Sequence, residues 1–234
     1  MSVICHEEPR IAIIETSCQV GQVAVACGTK VLAVRRLDEA RRHARDLVPA
    51  LRDLLTEQGW KARDLSAVVV SRGPGSYTGL RVGIMTAKTL AYASDCVVVG
   101  VDTFTAIARQ APEQAGRVDV LADAQQGKVY VQSFMRSLEK VEPHSALAIR
   151  SFAAWLAELD DRVWISGPGV RGHEEELRER PLVDAAKCDP LTESLLQIGL
   201  ERFRRGERDE YWTLEPLYLR PSAAEEKWAS RSIT

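Results

Sequence analysis

The sequence predicts an α/β fold built from two related lobes. Three observations predict it. Strand-like and helix-like periods alternate along the chain, with no low-complexity linker between them. A strand meander followed by alternating helices and strands occurs twice. In both halves the first strand ends in an acidic residue, Glu15 in one and Asp123 in the other. The pattern divides the chain into lobes over 1–102 and 103–234, with the segment after about residue 206 expected to pack back on the first lobe.

The elements follow in order. Residues 10–14 form a short apolar run that ends in Glu15-Thr16-Ser17. Residues 20–26 and 30–34 are two more runs, and Cys27-Gly28-Thr29 between them has the composition of a hairpin turn. Leu37, Ala40, Ala44, Leu47, Val48, Leu51, Leu54 and Leu55 then step by three or four residues, which makes one apolar stripe on a helix. Pro49 lies inside that stripe, so the helix is expected to kink or begin near it, and Gly59 ends it. Residues 67–70 are a continuous apolar run suited to a buried parallel strand. A glycine-rich turn over 71–76 leads into a second helix reaching about Ala93, and residues 97–101 are another buried strand. In the second half, residues 118–122, 128–135, 146–149 and 162–165 read as strands. Residues 151–159, with Ser151 as the N-cap, and 190–205 read as helices.

Composition excludes several classes. The chain has 234 residues, 45% of them hydrophobic and 27% charged, as in ordinary globular proteins. Thirty-one basic and 33 acidic residues leave a net charge of -2, so no global field pulls the chain onto nucleic acid. No uncharged apolar run approaches the roughly 18 residues of a membrane span. The opening MSVICHEEPR has no apolar stretch behind a basic one, so no secretion signal is expected and the cytoplasm is the expected compartment. Five cysteines, Cys5, Cys18, Cys27, Cys96 and Cys188, include no C-x-x-C pair and read as buried thiols. His6, His43, His144 and His173 offer no helical metal pair. The basic residues Arg35-Arg36 and 41–45 and the run His173-Glu174-Glu175-Glu176 read as solvated helix faces, with a weak RNA or partner patch as the alternative for the basic residues.

The most informative stretch is SRGPGSYTGLRVGIMTAKTLAYA over 71–93. Its glycines crowd a strand-to-helix junction, where backbone can approach an anion closely. Three templates fail on it. The P-loop fails because Lys88-Thr89 follows Ala87, and the nucleophile elbow because Pro74 and Thr78 flank Ser76 at two residues. The dinucleotide fingerprint misses its last glycine by one position. Gly79, Gly83, Ala87 and Ala91 recur every four residues and make one nearly bare helix face. From spacing alone that face packs either on the protein's own sheet or on a partner helix.

These residues resemble a known family. GPGSYTGLRVGIMTAKTLA from Gly73 is similar to the signature of the TsaB (YeaZ) family of bacterial tRNA threonylcarbamoyladenosine biosynthesis proteins. Ile14-Glu15-Thr16-Ser17 resembles the family's I-D-T-S strand end. HARDLVPALRDLL over 43–55 resembles its first helix with the proline included, and LADAQQGKVY over 121–130 resembles its L-D-A-R-R-x-E-V-Y segment. Glu15 stands where the family has aspartate, and Gln125-Gln126 where it has two arginines.

The resemblance implies the fold of actin, sugar kinases and heat-shock ATPases, with duplicated βββαβα lobes and a cleft between them. It implies a degenerate nucleotide site at Glu15, Thr16, Ser17 and Asp123, because the glycine that active members carry after each acidic residue is absent. It implies no catalytic residue, no metal and no cofactor beyond residual weak nucleotide binding. The catalytic paralogue TsaD carries H-x-x-x-H ligands where this chain has Thr103 and Ile107. The chain is therefore expected to be a catalytically empty partner of TsaD and TsaE homologues, a homodimer when alone, reaching tRNA only through the complex and not bound to a membrane. An active small-molecule kinase and a peptidase of the same superfamily are the alternatives. In the family, helices of this kind pair with a partner's, which implies an interface through Leu47, Leu51, Leu54 and Leu55 of the first helix and Gly79, Gly83 and Ala87 of the second. On that expectation Gly83→Arg or Ala87→Glu abolishes association and leaves the monomer folded.

Overall fold

The structure, a computed structural model, describes residues 8–37, 43–138 and 140–219. Cys5, His6, Ala40, Arg41, Arg42, the residues after 219 and the side chains of His43 and Ala44 lie outside the described part.

The first lobe opens with a meander of β1 (Arg10–Glu15), β2 (Gln22–Cys27) and β3 (Lys30–Arg36). Helix α1 (His43–Glu57) leads to β4 (Ala67–Gly73), and α2 (Tyr77–Ser94) leads to β5 (Val97–Asp102). The sheet order is β3-β2-β1-β4-β5, with β1, β4 and β5 parallel and β2 and β3 antiparallel to their neighbours. Residues 11–14 of β1 are all apolar because both faces of the strand are covered. Alternation sends Ala12 and Ile14 to one side and Ile11 and Ile13 to the other. The first side packs under α1 and α2, with Leu47, Leu51, Leu54, Leu55, Ile84 and Ala87 in its core.

The other side is covered by two helices from beyond β5. Helix α3 (Thr103–Arg109) follows β5 directly and contributes Ala106. Its seven residues were not expected from the sequence; the run is too short to show a helical period.

The second lobe repeats the plan. Strands β6 (Arg117–Asp123) and β7 (Lys128–Arg136) form an antiparallel pair, and β8 (Val141–Pro143) and β9 (Ala148–Ser151) both join β7. After α4 (Phe152–Ala157), β10 (Trp164–Ser166) pairs parallel to β6. The order β10-β6-β7-β8 reproduces the β4-β1-β2-β3 order of the first lobe. This is the duplicated two-lobed α/β arrangement that the strand pattern predicts. A single turn of helix, α5 (Glu174–Leu177), precedes α6 (Thr192–Arg204).

Helix α6 returns to the first sheet and lays Leu195, Leu196 and Leu200 against Ile11, Ile13 and Val69. Gly199 permits this approach, since a Cβ there would press into the Val69 side chain. The chain then runs beside β5 and α2. Asp209 bridges Val98, Leu214 enters the core under α2, and the Leu217 N–H donates to the Arg72 carbonyl at 2.7 Å.

Ser151 occupies the N-cap of α4 as expected, without a side-chain capping bond. Two local expectations are corrected. Helix α1 runs through Pro49 instead of starting at it; Pro49 is on the exposed side of the second turn. Cys27 is disulfide-bonded, whereas Cys18, Cys96 and Cys188 are free thiols as expected.

Candidate functional site

The carboxyl ends of parallel strands are where ligands of open α/β sheets bind. Here those ends carry Glu15 on β1 and Asp123 on β6. Glu15 is fully buried. Its Oε1 accepts hydrogen bonds from the Ser17 N–H at 2.5 Å and the Ser17 hydroxyl at 2.6 Å, while its Oε2 has no partner. Burial raises the carboxyl from 4.5 to about 7, and the bonds from Ser17 oppose that shift without cancelling it. Thr16 and Ser17 are buried as well, and the Thr16 hydroxyl is also without a partner.

Asp123 is exposed in the turn between β6 and β7. Its Oδ1 accepts from the Gln125 N–H at 2.7 Å, an Asx turn that holds Gln125 and Gln126 at φ of 64° and 56°. Each acidic side chain therefore serves its own turn. Among the described residues, no group of three or more His, Cys, Asp or Glu side chains is placed to hold a metal ion.

The glycine signature has a structural reading. The Ser76 N–H donates to the Ser17 carbonyl at 2.7 Å, and the Ser76 hydroxyl caps α2 by accepting from the Gly79 N–H at 3.2 Å. A Cβ at Gly79 would overlap the Thr16 carbonyl oxygen, one at Gly83 the Thr16 hydroxyl, and one at Gly75 the Ser17 carbonyl oxygen. The close approach that glycine grants is used to seat α2 on the end of β1.

This placement corrects the expected interface. Leu47, Leu51, Leu54 and Leu55 are buried beneath α1, and Gly79, Gly83 and Ala87 are buried against β1 and its sheet. None of these seven residues is open to a partner. The expectation that Gly83→Arg leaves a folded monomer is withdrawn for the same reason, because an arginine cannot fit where a methyl group already collides with Thr16.

The outward side of α1 and α2 carries Val48, which the apolar stripe places with the buried leucines, and Met85 and Tyr92, which the spacing does not single out. Val48 is 57% exposed, Met85 63% and Tyr92 66%. Trp212, on the returning segment, is 76% exposed and lies 6.0 Å from Tyr92, ring centre to ring centre. The available signal was Met85 and Tyr92 on the side of α2 opposite the small residues, where a solvated helix carries polar side chains.

Thr103 and Ile107 lie one turn apart on one face of α3, the spacing a paired ligand needs. Both are buried, and Ile107 packs in the second lobe's core.

Comparison with known proteins agrees with this geometry. The family profile described as "TsaD: tRNA N6-adenosine threonylcarbamoyltransferase" matches residues 37–163. The chain is 31% identical over 196 residues to the tRNA threonylcarbamoyladenosine biosynthesis protein TsaB of Bacillus subtilis, covering 80% of this chain and 84% of that protein. The figures are the same for TsaB of Escherichia coli. YeaZ from Pseudomonas aeruginosa superposes with a TM-score of 0.77 at 28% identity, over 90% of this chain and all of that one. With that identity held across four fifths of its length, and with the fold shared throughout, the chain belongs to the TsaB (YeaZ) family of tRNA threonylcarbamoyladenosine biosynthesis proteins.

Proposed function

We propose that the chain is a non-catalytic component of tRNA threonylcarbamoyladenosine formation. It docks on a TsaD-type subunit that carries out the transfer, with a TsaE homologue completing the assembly. The observation that carries this reading is the use of the two strand-end carboxylates. Glu15 is spent on Ser17 and Asp123 on Gln125, in the positions where an active member would hold a metal–nucleotide complex. Thr103 and Ile107 supply no ligand where TsaD has two. The chain works in the cytoplasm, binds nucleotide at most weakly, forms a homodimer when alone and reaches tRNA only within the complex.

This reading has a direct catalytic test. The isolated chain is expected to hydrolyse ATP at the buffer rate, and Asp123→Ala to change nothing. Turnover that disappears in Asp123→Ala would instead establish a kinase-like site.

The docking face is the outer surface of α1 and α2, through Val48, Met85 and Tyr92, continued by Trp212. Exposed aromatic and apolar side chains at the centre of an interface typically contribute about 2 kcal/mol or more each. Met85→Glu alters a side chain that no core residue leans on, so folding stability should stay within about 0.5 kcal/mol. Binding to a TsaD homologue, followed by sedimentation, should weaken roughly thirtyfold. A Met85→Glu protein that still binds TsaD and still self-associates would move the docking face elsewhere.

A further inference from the structure

We propose that the pocket between α4 and the second sheet binds a small organic carboxylate, and that Arg117 receives its carboxylate group. The pocket is separate from the Glu15 and Asp123 strand ends and does not depend on the docking reading. Its volume is about 250 Å³, and β6, β7, β9 and α4 all contribute to its walls.

The floor is a polar network on the face of the sheet. Asp119 is 2% exposed. Its Oδ1 accepts from the Ser133 hydroxyl at 2.6 Å and its Oδ2 from the Trp155 indole N–H at 2.9 Å. Arg117 stands above it and is ion-paired to it. Its Nη2 donates to the Ser133 hydroxyl at 3.2 Å, and its Nε faces Asp119 Oδ1 at 3.5 Å without forming a hydrogen bond. A guanidinium carries five N–H groups. Among the described residues, Arg117 places one of them in a hydrogen bond. Nε is buried, whereas the side chain as a whole is 40% exposed, so the donors left for the pocket are those at the tip of the guanidinium.

A planar fork of unfilled N–H groups beside an apolar wall selects a carboxylate. The apolar wall is supplied by Val131, Trp155 and Leu159, which give a short carbon chain a surface to lie on. The volume falls below the roughly 300–1,000 Å³ of pockets for drug-sized ligands, which limits the acid to a few carbons. Such an acid could be a simple carboxylic acid or an α-amino acid. The rim separates the two, because Glu158, held 2.8 Å from Arg150, is the carboxylate placed to meet an ammonium group.

The test uses the Trp155 indole N–H as a reporter, since it bonds Asp119 at the pocket floor. Full-length protein labelled with ¹⁵N is titrated with butyrate, L-valine and, as a control, chloride at constant ionic strength; Trp155→Phe assigns the peak. A saturable shift of this peak with butyrate or L-valine but not chloride is expected. Arg117→Gln should weaken it at least tenfold. Ala146→Trp, which fills the exposed mouth and leaves the network intact, should abolish it and covers the case in which Arg117→Gln does not fold. Loss of L-valine binding alone in Glu158→Gln would identify the amino acid as the source, and equal effects on both acids would identify the simple carboxylate. No shift up to about 20 mM acid, a shift that chloride reproduces, or binding that survives Ala146→Trp would overturn the proposal.

Discussion

Gly79→Ala is expected to lower the unfolding free energy by about 3 kcal/mol, at the upper end of what overpacking costs. An ordinary helical Gly→Ala change goes the other way, gaining up to about 1 kcal/mol from reduced backbone entropy in the unfolded chain. The sign reverses here because the new methyl group meets the Thr16 carbonyl oxygen. That atom belongs to backbone fixed at the end of β1, so it cannot turn aside. Relief requires lifting α2 off Ile14 and Val70, which opens the first core. Gly83→Ala should cost less, about 1–2 kcal/mol, because it meets a Thr16 hydroxyl that can change rotamer. Gly172, with nothing within 4 Å of its would-be Cβ, is the control and should move by less than about 0.5 kcal/mol. Urea unfolding of the three variants measures the order. Stabilisation by Gly79→Ala would mean that α2 does not sit on β1 as described.

Glu15→Gln is expected to stabilise the protein, by about 2–3 kcal/mol above neutral pH. The folded carboxyl titrates near 7 and the unfolded one near 4.5. The folded state therefore binds more protons than the unfolded state between these values, and stability falls as pH rises through that window. Below it Glu15 is neutral in both states and contributes nothing. Above it the full cost of burying the charge is present. Glutamine keeps an acceptor for the two Ser17 donors and removes the charge that burial opposes. The difference between variant and parent, measured by urea unfolding, should be near zero at about pH 4 and grow to its full value by about pH 8.5. A difference that stays flat across this range would show that Glu15 is ionised in the fold at no cost.

The strands that carry the site were legible because both faces of β1, β4 and β5 are covered, which writes uninterrupted apolar runs into the sequence. The junction before α2 was legible from its glycines. What those glycines face was not. A row of Gly79, Gly83 and Ala87 says that something comes close, and the end of a strand satisfies it as well as a partner helix does. The leucines of α1 are ambiguous in the same way, since a stripe fixes the period of a helix and not the identity of what covers it. Strand-end carboxylates at Glu15 and Asp123 were read correctly as a pair of acidic ends. Their partners, Ser17 and Gln125, lie two residues onward and are set by turn geometry that composition does not specify. The segment over 207–219 has no period at all. It is held by the burial of Leu214 and by long-range bonds such as Leu217 to Arg72, which only the folded chain reveals.

The return of α6 to the first sheet has a consequence for synthesis. Ile11, Ile13, Ala67, Val69 and Val99 are made early, yet Leu195, Leu196 and Leu200, which pack on them, are made only after every described strand of the second sheet. A ribosome adds about 5–20 residues per second, so that face of the sheet has only α3 to cover it for roughly 5–20 seconds while the second lobe is still being made. During that interval the nascent chain resembles an unfinished sandwich, and α6 acts as its closing step. The protein is thus committed to its fold last at the place where its two halves share one core.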